Sequence, residues 1–261
     1  MIKVLLVFFI FTSFVFSKPA NEKAFELLKN NQQKDVFSFA VMGDNRNGDE
    51  VFQSIIKELP KTDVKFAINN GDIVFLGLWW EFKNYLTMIK ESKVPIISVI
   101  GNHEISFFSG KNNFKKYIGK TNFSFSYANS YFISIDNTKK FKKKQFKWLE
   151  KELQKSKKYK HRFVFLHIPL YDPRKGDMKK GHSMKELKTA KQLNDIFDKY
   201  NVSMVFASHI HSLYNGYWQK TPFIITGGAG APKRWDNGFH HFVVVHVNKD
   251  KFHIRIVKIT S

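Results

Sequence analysis

The sequence predicts an α/β fold on a largely parallel sheet, and three observations carry the prediction. Short apolar, β-branched runs at residues 36–42, 64–68 and 95–100 alternate with segments of helical periodicity, the pattern of βαβ units. Each run ends in Gly followed by a polar side chain: Gly43-Asp44, Gly71-Asp72 and Gly101-Asn102. At 261 residues, with 43% hydrophobic and 25% charged side chains, the chain can bury one sizeable core.

Residues 1–17 read as a secretory signal peptide. Lys3 supplies the positive start, an uncharged apolar run from Val4 to Phe16 is broken only by Thr12 and Ser13, and Val15 and Ser17 suit the −3 and −1 positions of a cleavage site. The run is short for a membrane span, and no later stretch is long and apolar enough. A secreted or periplasmic protein without a transmembrane anchor after cleavage is therefore expected. Residues 18–35 read as a polar, partly helical linker, and 36–261 as one domain without internal repeats. The chain has no cysteine, so no disulfide framework supports the fold.

Within the domain, the strand at 36–42 leads to a helical pattern through Val51, Ile55, Ile56 and Leu59, closed by Pro60. The strand at 64–68 leads to an amphipathic segment at 78–89, and then to the strand at 95–100. Residues 123–127 and 131–135 alternate with period two about Ala128-Asn129-Ser130, a hairpin pattern. A helix at 145–153 buries Phe146, Leu149 and Leu153; a strand at 162–166 ends in His167. The loop 169–183 is long enough to overhang a site. A helix at 184–200 and a strand at 202–207 deliver Ser208-His209-Ile210-His211. Strands at 223–226, 239–247 and 252–259 close the chain, the first two separated by the Gly-rich run 227–232.

A formal charge of +21 favours acidic substrates, polyanions or anionic membranes. No nucleic-acid-binding motif accompanies it. The 28 Phe read as compositional bias rather than an aromatic binding platform.

The candidate chemistry lies at the strand ends: Asp44, Asp72, Asn102, His167, His209 and His211. A parallel sheet brings such ends to one edge. His209 and His211 are two apart, so extended backbone points both the same way. Carboxylate, amide and imidazole donors together suit Mn, Fe or Zn in an open site rather than a closed structural zinc site. A carboxylate shared by two ions would make a two-metal phosphoesterase clamp.

Gly-Asp, a second Gly-Asp, Gly101-Asn102-His103-Glu104, Val164-x-x-His167 and His209-x-His211, in this order, resemble the calcineurin-like metallophosphoesterases. The resemblance spans about residues 36–259, including Gln145-x-x-Trp148-Leu149-Glu150, the Gly-rich 227–232 loop and His240-His241. It implies a four-layer αββα sandwich of two mixed β-sheets flanked by helices. It also implies two divalent metal ions: Asp72 bridging them, Asn102, His167 and His209 completing one site, and Asp44 with His211 in the other. His103 would contact the phosphate and protonate the leaving oxygen, with Glu104 orienting it. Of His240 and His241, which alternate faces, at most one points inward; His241 is the candidate substrate contact.

The sequence departs from the family at the first motif, commonly Asp-x-His, where Arg46 stands third. Purple acid phosphatases also lack this His but place a Tyr three residues after the bridging Asp; here that residue is Phe75. Arg cannot ligate a metal. Water or another side chain completes this first site, or one ion suffices, or the site is weak or degenerate. A guanidinium beside a ligand suits bidentate phosphate binding, so Arg46 is read as a substrate contact with a part in catalysis. The expected function is hydrolysis of a small phosphorylated substrate, a phosphomonoester before a phosphodiester, the other reading being a non-catalytic scaffold that binds polyanions.

Overall fold

The computed structural model describes residues 18–30, 35–232 and 238–260, so the signal segment expected at 1–17 lies outside the described residues. Helix α1 (Ala20–Asn30) precedes β1 (Val36–Met42), α2 (Asp49–Glu58), β2 (Val64–Asn69), α3 (Trp79–Lys90) and β3 (Ile96–Ser98). Then come α4 (Gly110–Tyr117), the hairpin β4 (Phe123–Tyr127) and β5 (Ser130–Ser134), α5 (Lys143–Ser156), β6 (His161–Phe165), α6 (Leu187–Lys199) and β7 (Met204–Ala207). Strands β8 (Leu213–Trp218), β9 (Thr221–Thr226), β10 (His241–Asn248) and β11 (Lys251–Lys258) follow. Among the described residues, no helix is long and apolar enough to cross a membrane.

The strands form a five-stranded sheet, β11-β10-β1-β2-β3, and a six-stranded sheet, β4-β5-β6-β7-β9-β8. In the first, β1, β2 and β3 are parallel and β10 runs antiparallel beside β1. In the second, β5, β6, β7 and β9 are parallel, with antiparallel β4 and β8 on the edges.

Period-two alternation turns these strands into layers. Phe37, Phe39 and Val41 of β1 share a core with Phe132, Phe163 and Phe206 of the other sheet. Ala40 and Met42, on the opposite face, pack with Phe52, Ile55 and Phe82 from α2 and α3. On the far side of the second sheet, Ile133, Val164 and Val205 meet Leu149 and Leu153 of α5 and Leu193 and Phe197 of α6. The order is helix, sheet, sheet, helix, the four-layer sandwich expected. Between the sheets Phe39 sits 5.5 Å from Phe66, 5.2 Å from Phe132 and 5.1 Å from Phe163, ring centre to ring centre. Such contacts add about 0.5–1.5 kcal/mol each beyond burial, so many of the phenylalanines that read as bias are the packing between sheets.

Three elements differ from the sequence reading. The segment read as a linker is largely helix α1, docked rather than free: Ala24 and Leu28 are buried, and Phe25 packs on Phe123 and Phe125. The Asn21 amide exchanges two 2.8 Å hydrogen bonds with the Ser98 backbone, covering the exposed edge of β3. Helix α4 was not anticipated because its sequence is polar and only Gly110 and Phe114 are buried. Strand β8 was missed because Asn215 and Gly216 read as a turn; it is an edge strand with a mostly solvated face.

Candidate active site

The C-terminal ends of β1, β2, β6 and β7 converge, and with them the side chains of both sheets. Two groups of side chains each bring three ligand atoms within 4.8 Å of one another: Asp72, His167 and His209, and Asp44, Asp72 and His211. Asp72 belongs to both. Asn102 joins the first group, its Oδ1 3.1 Å from His167 Nε2. Thus the six side chains expected at the strand ends meet in one place.

The backbone is bent to achieve this. Asp44, Asp72 and His209 have φ of 60°, 54° and 69°, in the left-handed region that side chains rarely enter. Such strain concentrates where a side chain must be aimed. Gly71 has φ of 96°, and a Cβ there would lie 2.6 Å from His167 Nδ1, so only glycine lets the two sheets approach.

Carbonyl groups set the histidine tautomers. Nδ1 of His167 donates to the Asn70 carbonyl at 2.9 Å, Nδ1 of His211 to that of Pro232 at 2.8 Å, and Nδ1 of His103 to that of Phe75 at 2.6 Å. A carbonyl can only accept, so each ring holds its proton on Nδ1 and turns Nε2 inward. His167 Nε2 is 3.2 Å from Asp72 Oδ1, and His211 Nε2 is 3.6 Å from Asp44 Oδ1.

The donor set fits divalent cations. Asp44 Oδ1 is buried without a hydrogen-bond partner, and the Asp72 and Asn102 oxygens and the His167 nitrogen converge as lone pairs. Without a cation, burial and the charge of Asp72 push Asp44 up to about 7. Burial opposes protonation of His167, but Asp72 and Asp44 outweigh it and raise the imidazole to about 9. Two buried carboxylates thus demand positive charge, and a metal ion supplies it. Burial, reinforced by His167, drives His209 well below the usual imidazole range, which leaves its ring neutral.

Arg46 is buried, with Nε 3.5 Å from Asp72 Oδ2 and Cζ 5.7 Å from the centre of the Phe75 ring. Phe75 also stacks on His103 at 5.5 Å and carries no oxygen toward the ligand groups. His103 Nε2 lies 3.9 Å from Asp72 Oδ2, at the open side of the cluster.

Glu104 does not orient His103. It is fully buried and accepts the backbone N–H groups of Asp72, Ile73, Val74 and Gly101, so it shapes the loop that carries Asp72. The Phe75 carbonyl orients His103 instead. His241 belongs to neither ligand group: it is buried at the start of β10 with Nδ1 turned to the Phe239 carbonyl at 2.8 Å, and Gly228 has no room for a Cβ against its ring. His182, on the long loop before α6, lies flat on His209 with ring centres 4.0 Å apart. Its place in a long polar loop gave no periodic signal for this.

From Asn102 and His209 a cavity of about 770 Å³ opens outward. A separate hollow of about 450 Å³ between α1, α3 and α4 carries none of these groups. The cleft is thus the place for chemistry.

The family model described as calcineurin-like phosphoesterase matches residues 37–213, which contain every ligand side chain named above. The chain belongs to this family. It is accordingly a metal-dependent phosphoric ester hydrolase by class. Its fold is similar to a purple acid phosphatase, PPD1, from yellow lupin (Lupinus luteus) seeds, at TM-score 0.69 and 17% identity over 87% of this chain. The phosphoesterase spans about half that protein's length, 52%. It is also similar to a dimetal phosphatase from Danio rerio (TM-score 0.68, 14% identity, 86% of this chain and 97% of that one). GAP50, the anchor in the inner membrane complex of Plasmodium, has the same fold (TM-score 0.65, 16% identity, 86% and 85%). No curated protein matches the sequence.

Proposed function

We propose that this phosphoesterase is an exported phosphatase that hydrolyses phosphomonoesters. The observation that carries the reading is the sharing of Asp72 between two ligand groups, with His103 Nε2 3.9 Å from the same carboxylate. Bound in these groups, a pair of divalent ions supplies a nucleophilic water near neutral pH and offsets charge on the phosphate oxygens. Asp72 belongs to both groups; Asn102, His167 and His209 complete one, and Asp44 and His211 the other.

His103 does the proton work. Its Nδ1 is fixed on the Phe75 carbonyl, so only Nε2 can pass a proton to the leaving oxygen. Burial lowers its affinity for a proton, against the pull of Asp72, which makes it the stronger acid. The Arg46 guanidinium, on the Asp72 side, adds a fixed positive charge that matches the second negative charge of a phosphomonoester, which a diester lacks, and this favours a monoester over a diester. Mn, Fe and Zn all suit the donor set. The composition of residues 1–17 supports export.

Purified protein loaded with Mn, Fe or Zn should release nitrophenol from p-nitrophenyl phosphate faster than from its bis ester, and EDTA should abolish both. No turnover of either ester with any of the metals would sink the reading. Arg46 in place of the usual His favours a second reading, a polyanion-binding scaffold without turnover. Metal analysis separates the two: ions bound with turnover support the enzyme, and a chain that takes up none supports the scaffold.

A further inference from the structure

The cleft continues well past the ligand groups. Asn102 and His209 form only one end of the 770 Å³ cavity, which offers far more room than a phosphate group needs. Its other walls are the segment after β5, which carries Lys139 and Lys140, and the loop before α6, which carries Lys180 and Lys185. Glu186 is the single acidic side chain on the lining. Lys140 lies 3.9 Å from Glu186; among the described residues, no carboxylate comes within 4.0 Å of Lys139, Lys180 or Lys185. Phe141 and Met184, both buried, lie on the same lining.

Four ammonium groups against one carboxylate, beside apolar side chains in a concave site, focus a positive potential there. The scissile phosphate has no use for it, because its own charge would be met at the other end by the ions held in the ligand groups and by Arg46. A neutral leaving group has no use for it either. The lysines come from two chain segments, one after β5 and one before α6, that line one cavity.

We propose that the substrate carries a second phosphate, and that this lysine-lined half of the cavity holds it while the first is hydrolysed. The chain is then selective for small bisphosphorylated compounds over monophosphates. This rests on the phosphoesterase reading above and specifies its substrate class.

The test uses the bisphosphates of 1,3-propanediol, 1,4-butanediol and 1,6-hexanediol, each beside its own monophosphate, with the full metal-loaded chain. At low salt, kcat/KM for the best bisphosphate, halved for its two equivalent ends, should exceed that of its monophosphate by roughly tenfold. The preference should shrink at about 0.15 M salt, where screening acts within about 8 Å. In the triple variant Lys139→Gln/Lys180→Gln/Lys185→Gln the ratio should fall toward one. All three lysines are exposed, so the variant should melt like the parent. A ratio near one for all three chain lengths, or a ratio that the triple variant leaves intact, overturns the proposal. If p-nitrophenyl phosphate is not hydrolysed either, the phosphoesterase reading is what has failed. Calorimetric binding of 1,4-butanebisphosphonate against butylphosphonate then decides the lysine site without turnover, equal affinities being the result that refutes it.

Discussion

Arg46 Nε lies 3.5 Å from Asp72 Oδ2, with both side chains buried. The carboxylate common to the two ligand groups therefore already has a fixed cation beside it. In Arg46→Met that charge is lost while Asp44 and Asp72 stay buried, and breaking a buried pair costs about 3–5 kcal/mol. Denaturant unfolding in EDTA should show a loss of this order, and added Mn should restore part of it by taking over the charge. Arg46→His, which re-creates the family's usual first motif, should tighten the weaker metal site. Unchanged affinity and stoichiometry in a calorimetric titration would show that the guanidinium is not what limits it.

Because Asp72 serves both groups and Asp44 only one, their substitutions should differ in kind. Asp72→Asn is expected to abolish binding of both ions; Asp44→Asn should spare the group built on His167 and His209. In the parent protein, metal at a hundredfold excess over its Kd should stabilise the fold by about 2.7 kcal/mol. Metal analysis and melting curves read both effects.

His103→Ala should lower kcat by about 10²–10⁴-fold, the usual span for losing a general acid, without loss of metal. The deficit should be larger for alkyl phosphates than for p-nitrophenyl phosphate, whose leaving group departs without a proton. An equal deficit for both would assign His103 to binding rather than proton transfer.

Glu104 receives four backbone N–H groups, so Glu104→Gln replaces one acceptor oxygen with a donor that faces other donors. A cost of about 1–3 kcal/mol per buried group left unpaired is expected, with weaker metal binding because the Asp72 loop relaxes. A change in kcat alone, with stability and metal affinity intact, would restore the role of orienting His103.

Asp172 holds the long loop over the cavity. Arg174 grips its carboxylate at 2.8 and 2.7 Å, and the His182 N–H donates to it at 2.7 Å. Burial opposes ionisation, but the Arg174 fork outweighs it and holds the carboxyl at about 2. A depressed folded pKa contributes stability above the unfolded value of about 3.9, and this is lost as pH falls toward 2. Stability of the parent should therefore drop more steeply than that of Asp172→Asn between pH 4 and 2, and parallel curves would disprove the link.

The α/β class and the candidate ligand side chains were legible because both are local. Period-two alternation marks Phe37, Phe39 and Val41 as one face of a strand whatever they pack against, and a polar residue after such a run must lie at a strand end. The helix at the N-terminus was legible as helical but not as docked, because what docks it is one amide, Asn21, meeting the edge of a strand far along the chain.

Tertiary structure decided the rest, since distances between residues far apart in sequence depend on how two sheets pack, and no local pattern encodes that. His167 Nε2 comes to 3.2 Å from Asp72 Oδ1 only because the sheets close on glycine at position 71. The order of strands within each sheet buries Arg46 against Asp72, turns Glu104 toward four amides and lays His182 on His209. The sequence alone therefore determined which side chains could serve the chemistry, and the packing of the sheets decided which of them meet.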